Sequence, residues 1–111
     1  MFYQEYTSSL DTSSLMTAFT TPVTYTGSLN VGYNSSASEE YIQIGQNRTG
    51  NAYAYIDLVG DTTYTDFGLR LIRNNGGPNT SSSIYHRGTG SLEFITSDAA
   101  PINICTNNTV R

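Results

Sequence analysis

The chain has no lysine, one cysteine, one histidine and no long apolar run. Cys105 stands alone, so no internal disulfide can form. His86 is equally alone, and no Cys/His cluster has zinc spacing, so neither a structural metal nor another cofactor is expected. Every basic residue is an arginine (Arg48, Arg70, Arg73, Arg87, Arg111) in a chain of formal net charge −4. Without a basic patch, nucleic-acid binding has no electrostatic footprint, and attraction to anionic membrane is disfavoured for the same reason. No stretch approaches the ~20 apolar residues that would insert into a bilayer. Met1-Phe2-Tyr3-Gln4-Glu5 has neither the basic start nor the apolar stretch of a secretory signal. An extracellular destination then implies another exit route, such as lysis.

Apolar residues are scarce too. They make up 37% of the chain even with nine tyrosines counted, against roughly 45–50% (glycine included) in ordinary globular domains. At 111 residues the chain is one domain at most. A domain of that size buries only a little over ~60% of its unfolded surface. Disulfides, metals or oligomerisation usually make up the deficit, and the first two are missing. Disorder is the competing explanation of a polar chain. It is opposed by a charged content of only 13% and by Tyr and Ile recurring at period two.

What is present is a returning pair of aliphatic residues two apart: Ile42/Ile44, Ile56/Leu58, Leu69/Leu71, Leu92/Phe94 and Ile102/Ile104. Side chains two apart on an extended backbone point the same way, so each pair marks one face of a short strand. Gly, Asn, Asp, Ser and Thr fill the intervals as turns. The pattern predicts strands over 23–26, 28–32, 41–46, 52–59, 67–71, 83–87, 91–96 and 101–106, with Asn47 to Asn51 of hairpin-turn composition. In the clearest of these, Ala52, Ala54, Ile56 and Leu58 lie on one face, with Tyr53, Tyr55, Asp57 and Val59 on the other. Phe67, Leu69 and Leu71 are expected inside and Arg70 outside. Gly76-Gly77-Pro78 interrupts any ladder. The pairs recur at intervals of 14, 13, 23 and 10 residues, a rhythm of stacked layers or meandering strands rather than a strict solenoid repeat. A sandwich gives a similar rhythm.

Residues 1–26 differ from the rest. They are rich in Ser and Thr and show no period of two. Leu15, Met16 and Phe19 fit one face of a short helix capped by Asp11 or Ser13; a linker or docking arm ordered by neighbours is the plainer reading. The expected organisation is thus an N-terminal arm over 1–26 and a β-rich body over 27–111.

From Ile42-Gln43-Ile44-Gly45 through Leu69-Arg70-Leu71-Ile72-Arg73, then His86-Arg87-Gly88-Thr89-Gly90-Ser91-Leu92-Glu93-Phe94, the sequence resembles the distal shafts of tailed-bacteriophage tail fibres and tailspikes. Ala100-Pro101-Ile102-Asn103-Ile104-Cys105-Thr106-Asn107-Asn108-Thr109-Val110-Arg111 strengthens the likeness. In that family a G-x-G-x-L-x-F strand and a P-I-x-F-x-T-N-x-x-x-R strand often precede an endosialidase-type intramolecular chaperone. The resemblance runs from about Gly27 to Arg111. It implies an all-β, elongated parallel homotrimer, an interwoven β-helix or β-prism of short strands. Such a part is extracellular on the virion, attached to other tail proteins, and recognises host cell-surface polysaccharide or protein. The chaperone's M-x-I strand and S-D-x-x-L-K segment have no counterpart within 1–111.

The residues offer little for catalysis. Asp57, Asp61 and Asp66 are close in sequence and Glu39-Glu40 adjacent, but glycoside hydrolysis needs two carboxyl groups about 5–10 Å apart across a cleft. A turn such as Gly60-Asp61 favours Asp for its backbone-bonding side chain alone. The three aspartates also lack the spacing of a calcium loop. No Gly-x-Ser-x-Gly elbow accompanies His86, which reads as a strand end. Cys105 is expected buried or semi-buried in a strand. Gly76-Gly77-Pro78 lacks the Lys and Ser/Thr of a phosphate loop. Asn34, Asn47, Asn79 and Asn107 begin N-glycosylation patterns that chance alone supplies in so Asn- and Ser-rich a chain.

Tyrosine is the remaining signal. Tyr53, Tyr55, Tyr64, Asp57, Asp66 and Arg70, with Asn51, are the candidate ligand-binding residues. Aromatic faces pack on the apolar face of a pyranose while Asp, Asn and Arg bond its hydroxyls. Tyrosine is also a favoured half-buried strand residue at subunit boundaries. The expectation is therefore a non-enzymatic fibre segment mediating host attachment. A monomeric carbohydrate-binding β-sandwich and a fragment of a polysaccharide depolymerase are the alternatives.

Overall fold

The structure, a computed structural model, describes residues 22–111. The short helix expected around Leu15, Met16 and Phe19 lies outside the described residues. Within them the chain is all-β with no helix. It divides into two units, Met1–Ile42 and Gln43–Arg111.

The second unit is organised by a three-stranded antiparallel meander of β1 (Ala54–Leu58), β2 (Leu69–Arg73) and β3 (Ser82–His86). Leu71 stands at its centre, opposite Ile56 on one side and Ile84 on the other. Residues directly opposite one another share a face, so the register sorts the sheet cleanly. One face carries Ala54, Ile56, Leu58, Leu69, Leu71 and Ile84, flanked by Arg73, Ser82 and His86. The other carries Tyr55, Asp57, Arg70, Ile72, Ser83 and Tyr85.

The connections are fixed by polar side chains in place of a core. In the β1–β2 loop, Asp61 accepts from the amides of Thr63 (2.7 Å) and Tyr64 (2.8 Å), the Asx turn expected of an Asp at that position. Gly68 then donates to the Leu58 carbonyl and accepts from the Arg87 amide, both at 2.9 Å, which closes the end of the sheet. In the β2–β3 loop, Arg73 donates to the carbonyls of Thr80 (2.7 Å) and Pro78 (2.9 Å), while Asn74 bonds Ser81 through backbone and side chain. A second, two-stranded sheet joins β4 (Cys105–Thr106) to β5 (Thr109–Val110). Asn107 and Asn108, at φ 51° and 59°, make its two-residue turn, and asparagine is one of the few non-glycine residues that tolerates this backbone.

Several expected strands do not form ladders. Segments 23–26, 28–32, 41–46 and 91–96 have no strand pairing, and 101–106 pairs only from Cys105. Their aliphatic spacing is right, but a strand exists only when a neighbour takes its backbone hydrogen bonds, and these segments have none within the described chain. A repeat is nonetheless visible in them. Leu29-Asn30-Val31-Gly32-Tyr33-Asn34 matches Ile42-Gln43-Ile44-Gly45-Gln46-Asn47 thirteen residues later. The local backbones match as well: Gly32 and Gly45 stand at φ 85° and 87°, Asn34 and Asn47 at 60° and 59°. In the first copy Ser35 donates its amide to the Gly32 carbonyl (2.9 Å) and its hydroxyl to Glu40.

No described residue is fully buried, whether apolar or polar. Ile56, Leu58, Leu71 and Ile84, the middle of the aliphatic face, remain 43–55% exposed. That is the deficit the composition implies.

Candidate functional site

The aromatic face of the sheet is built by alternation in β1. Tyr53, Tyr55 and Asp57 project together, and the register sets Arg70 opposite Asp57 and Tyr85 opposite Arg70. Arg70 meets Asp57 through two parallel bonds, Nε to Oδ1 at 2.6 Å and the terminal nitrogen to Oδ2 at 2.8 Å. This bidentate fork is the geometry that guanidinium and carboxylate share. The pair is half-buried, and Arg70's hydrogen bond holds the Asp57 carboxyl below its ordinary pKa.

Arg70 also lies over two rings, 4.4 Å from the centroid of Tyr55 and 4.0 Å from that of Phe67. Phe67 lies in turn 5.0 Å from the Arg87 guanidinium, which is 4.3 Å from Tyr64. The result is a ladder of alternating rings and cations: Tyr55, Arg70, Phe67, Arg87, Tyr64. A cation over a ring face is attracted by the ring's quadrupole, and each cation here is also tied to a carboxylate. Arg87 bonds Asp66 at 2.7 Å. Asp66 is likewise held below its ordinary pKa, chiefly by the Phe67 backbone amide, with Arg87 adding to the effect.

Beside this ladder an open concavity of about 380 Å³ is lined by Tyr53, Tyr55, Phe67, Arg70, Ile72, Asn74 and Tyr85. Among the described residues no cation lies over Tyr53 or Tyr85, and the two are 53% and 49% exposed.

Of the candidate residues, Tyr53, Tyr55 and Arg70 line the concavity, and Asp57 belongs to it through Arg70. Tyr64 and Asp66 sit at the far end of the ladder with Arg87. Asn51 lies at a different cavity. The expectation that Phe67 shares a face with Leu69 and Leu71 is overturned. β2 begins at Leu69, the alternation does not extend back through Gly68, and the ring turns to Arg70 and Arg87. Phe67, Tyr85 and Arg87 are the site residues that sequence reasoning missed. Tyr85 was recoverable in principle, since it alternates with Ile84 on β3. Cys105 is exposed rather than buried, because β4 is a two-residue strand with nothing packed over it. His86 is exposed, its Nε2 2.8 Å from the Gly90 carbonyl.

Among the described residues no three His, Cys, Asp or Glu side chains converge in a way that would hold a metal ion, and no helix is long and apolar enough to cross a membrane. Comparison with known proteins finds no matching family model, no matching curated protein and no matching solved structure.

Proposed function

We propose that this chain is a segment of a trimeric bacteriophage tail fibre that attaches the virion to its host surface. On this reading its aliphatic sheet face turns toward sister chains and its aromatic face outward to polysaccharide. The observation that carries the reading is the sorting of the meander into two unlike faces, with Ile56, Leu58, Leu71 and Ile84 half in water. Half-exposed aliphatics in one contiguous row are what a thin axial core looks like when only one of its contributors is present. The segments 23–26, 41–43 and 91–96, which have no ladder partner among the described residues, support it too, since a neighbouring chain would supply one.

The aromatic face suits a neutral sugar. Tyr53 and Tyr85 offer half-exposed rings, and Asn74 and the rim of the Asp57–Arg70 pair offer hydrogen bonds to hydroxyls. A monomeric sandwich is less well supported, because its two sheets interleave side chains into a buried core and no described residue is fully buried. A depolymerase needs one carboxyl that keeps its proton near neutrality, whereas Asp57 and Asp66 are both shifted the other way.

Two measurements test the proposal. Sedimentation should show a stable species three times the 12.1 kDa chain mass, and the labelled assembly should bind capsulated bacteria and lose that binding when the capsule is stripped. A compact, cooperatively melting monomer overturns the fibre reading. A trimer that binds no cell of a broad panel overturns attachment by this segment.

A further inference from the structure

A second cavity, of about 250 Å³, lies on the other side of the sheet from the tyrosines, at the end where β1 starts and β2 finishes. Ala54 and Arg73, the last ladder pair at that end, both line it. Its walls also carry Arg48, Asn51, Asn74 and Asn75, and no carboxylate.

The charge there is uncompensated. Of the arginines on this unit, Arg70 and Arg87 are each neutralised by an aspartate. Arg73 donates only to neutral acceptors, the Pro78 and Thr80 carbonyls and the Ser82 hydroxyl, so it is held in place with its full charge. Arg48 has no ion pair or hydrogen bond among the described residues, and its guanidinium lies where a side chain at position 45 would begin. Gly45 at φ 87° and Gly77 at φ 88° both adopt a backbone that suits glycine. At Gly77 the Asn51 carboxamide nitrogen lies 3.6 Å from where a Cβ would stand, an ordinary contact. It is the missing side chain at position 45 that opens the wall for the Arg48 cation. In a chain of net charge −4, two guanidiniums and three carboxamides around one cavity form a receptor for negative charge.

We propose that this cavity binds an oxyanion, the carboxylate of an acidic sugar or a phosphate group. Arg48 presents its guanidinium donors in a fixed fork, Arg73 adds its charge with most of its donors engaged in the loop, and neutral amides complete the shell. The volume corresponds to about eight waters at liquid density, enough for a single ring bearing one acidic group. The site is chemically distinct from the aromatic face, whose cations are already paired, and it does not depend on how many copies of the chain assemble.

The test is a titration of the full chain, in whatever assembly it forms, at constant ionic strength. The readout is the Asn51 and Asn75 side-chain amide signals in ¹⁵N spectra, since Asn74 also borders the aromatic concavity. Sodium glucuronate and inorganic phosphate are the anionic probes and glucose is the neutral control. Saturable shifts at millimolar concentration are expected with at least one anion and none with glucose, and the responding anion identifies the source. Arg48→Gln should weaken the midpoint at least tenfold, and Asn51→Asp, which places a carboxylate in the cavity, should abolish it while the backbone spectrum stays dispersed. The proposal is overturned by no saturable shift with either anion, by an equal response to glucose, or by an unchanged midpoint in Arg48→Gln.

Discussion

Replacing Ile56 with alanine separates a chain that completes its core with sister copies from one that stands alone. Ile56 is 46% exposed, and its face-mates Leu58, Leu71 and Ile84 are 55%, 43% and 47% exposed. Covering the exposed half of one such side chain stabilises by about 1 kcal/mol, so the row offers about 4 kcal/mol per chain on assembly. Once packed, Ile→Ala costs about 2–5 kcal/mol, because lost transfer energy and a residual cavity add. Taking about 3 kcal/mol in the assembly and subtracting the roughly 1 kcal/mol that the free chain also loses leaves about 2 kcal/mol per copy, or about 6 kcal/mol for a threefold assembly. At ~1.4 kcal/mol per tenfold, that is about ten-thousandfold in the monomer–trimer constant. The midpoint concentration follows the square root of that constant, so it rises about a hundredfold. In a lone chain the same substitution removes a half-solvated side chain, costs about 1 kcal/mol and shows no dependence on concentration. Sedimentation equilibrium or mass photometry from nanomolar to micromolar concentration reads the difference. The reasoning fails if Ile56→Ala leaves the mass distribution where the wild type has it.

Acid should weaken the aromatic face first. Asp57 and Asp66 bind protons less readily in the folded chain than an ordinary aspartate does. Their stabilisation is therefore complete above the unfolded carboxylate pKa of about 3.9 and is lost as pH falls toward the lower folded values. Thermal midpoints should hold level from pH 7 to 5 and decline below about pH 4. Asp57→Asn combined with Asp66→Asn should flatten that decline, and an undiminished decline in the double variant would show that other groups govern it. The repeated turn is tested by Asn47, which stands at φ 59°. Asn47→Gly should leave the denaturant midpoint of unfolding nearly unchanged, whereas Asn47→Val should cost about 1–2 kcal/mol by forcing a β-branched residue into the left-handed region.

The central sheet was legible because β1 alternates so regularly. Once Ala54, Ile56 and Leu58 are read as one face, Tyr53, Tyr55 and Asp57 must share the other. The partner of Asp57 was not legible. The pairing with Arg70 depends on the length and path of the loop between them, which the Asp61 turn and the Gly68 hydrogen bonds determine. Phe67 was misplaced for a related reason: the period of two holds only inside a ladder, and the ladder starts two residues later. The segments around Val31, Ile44 and Phe94 show the reverse difficulty. Their spacing is strand-like, yet periodicity reports which face a residue would occupy and says nothing of whether a backbone partner exists. The thirteen-residue match of Leu29–Asn34 with Ile42–Asn47 was present in the sequence, but aliphatic pairs alone, counted from Ile42 onward, start one copy too late to reveal it.

In the proposed assembly, desolvation selects the face of the sheet that meets a neighbour. The aromatic face centres on Asp57 and Arg70, whose side chains are 22% and 24% exposed. Covering that face would strip the remaining water from a charged pair, a cost that its attraction repays only with excellent geometry and further hydrogen bonds. The aliphatic face has no charged group between Ile56, Leu71 and Ile84; Arg73 and His86 stand at its ends, where a rim is polar in any interface. Covering it gives up little solvation and removes apolar surface from water. The outer strands β1 and β3 carry a further incentive, since among the described residues each presents one unpaired backbone edge, and an open edge invites another strand. A neighbour lying across Ile56, Leu71 and Ile84 therefore gains apolar burial at the smallest polar cost the sheet offers. The same arrangement leaves Tyr53 and Tyr85 in water, where a ligand can reach them.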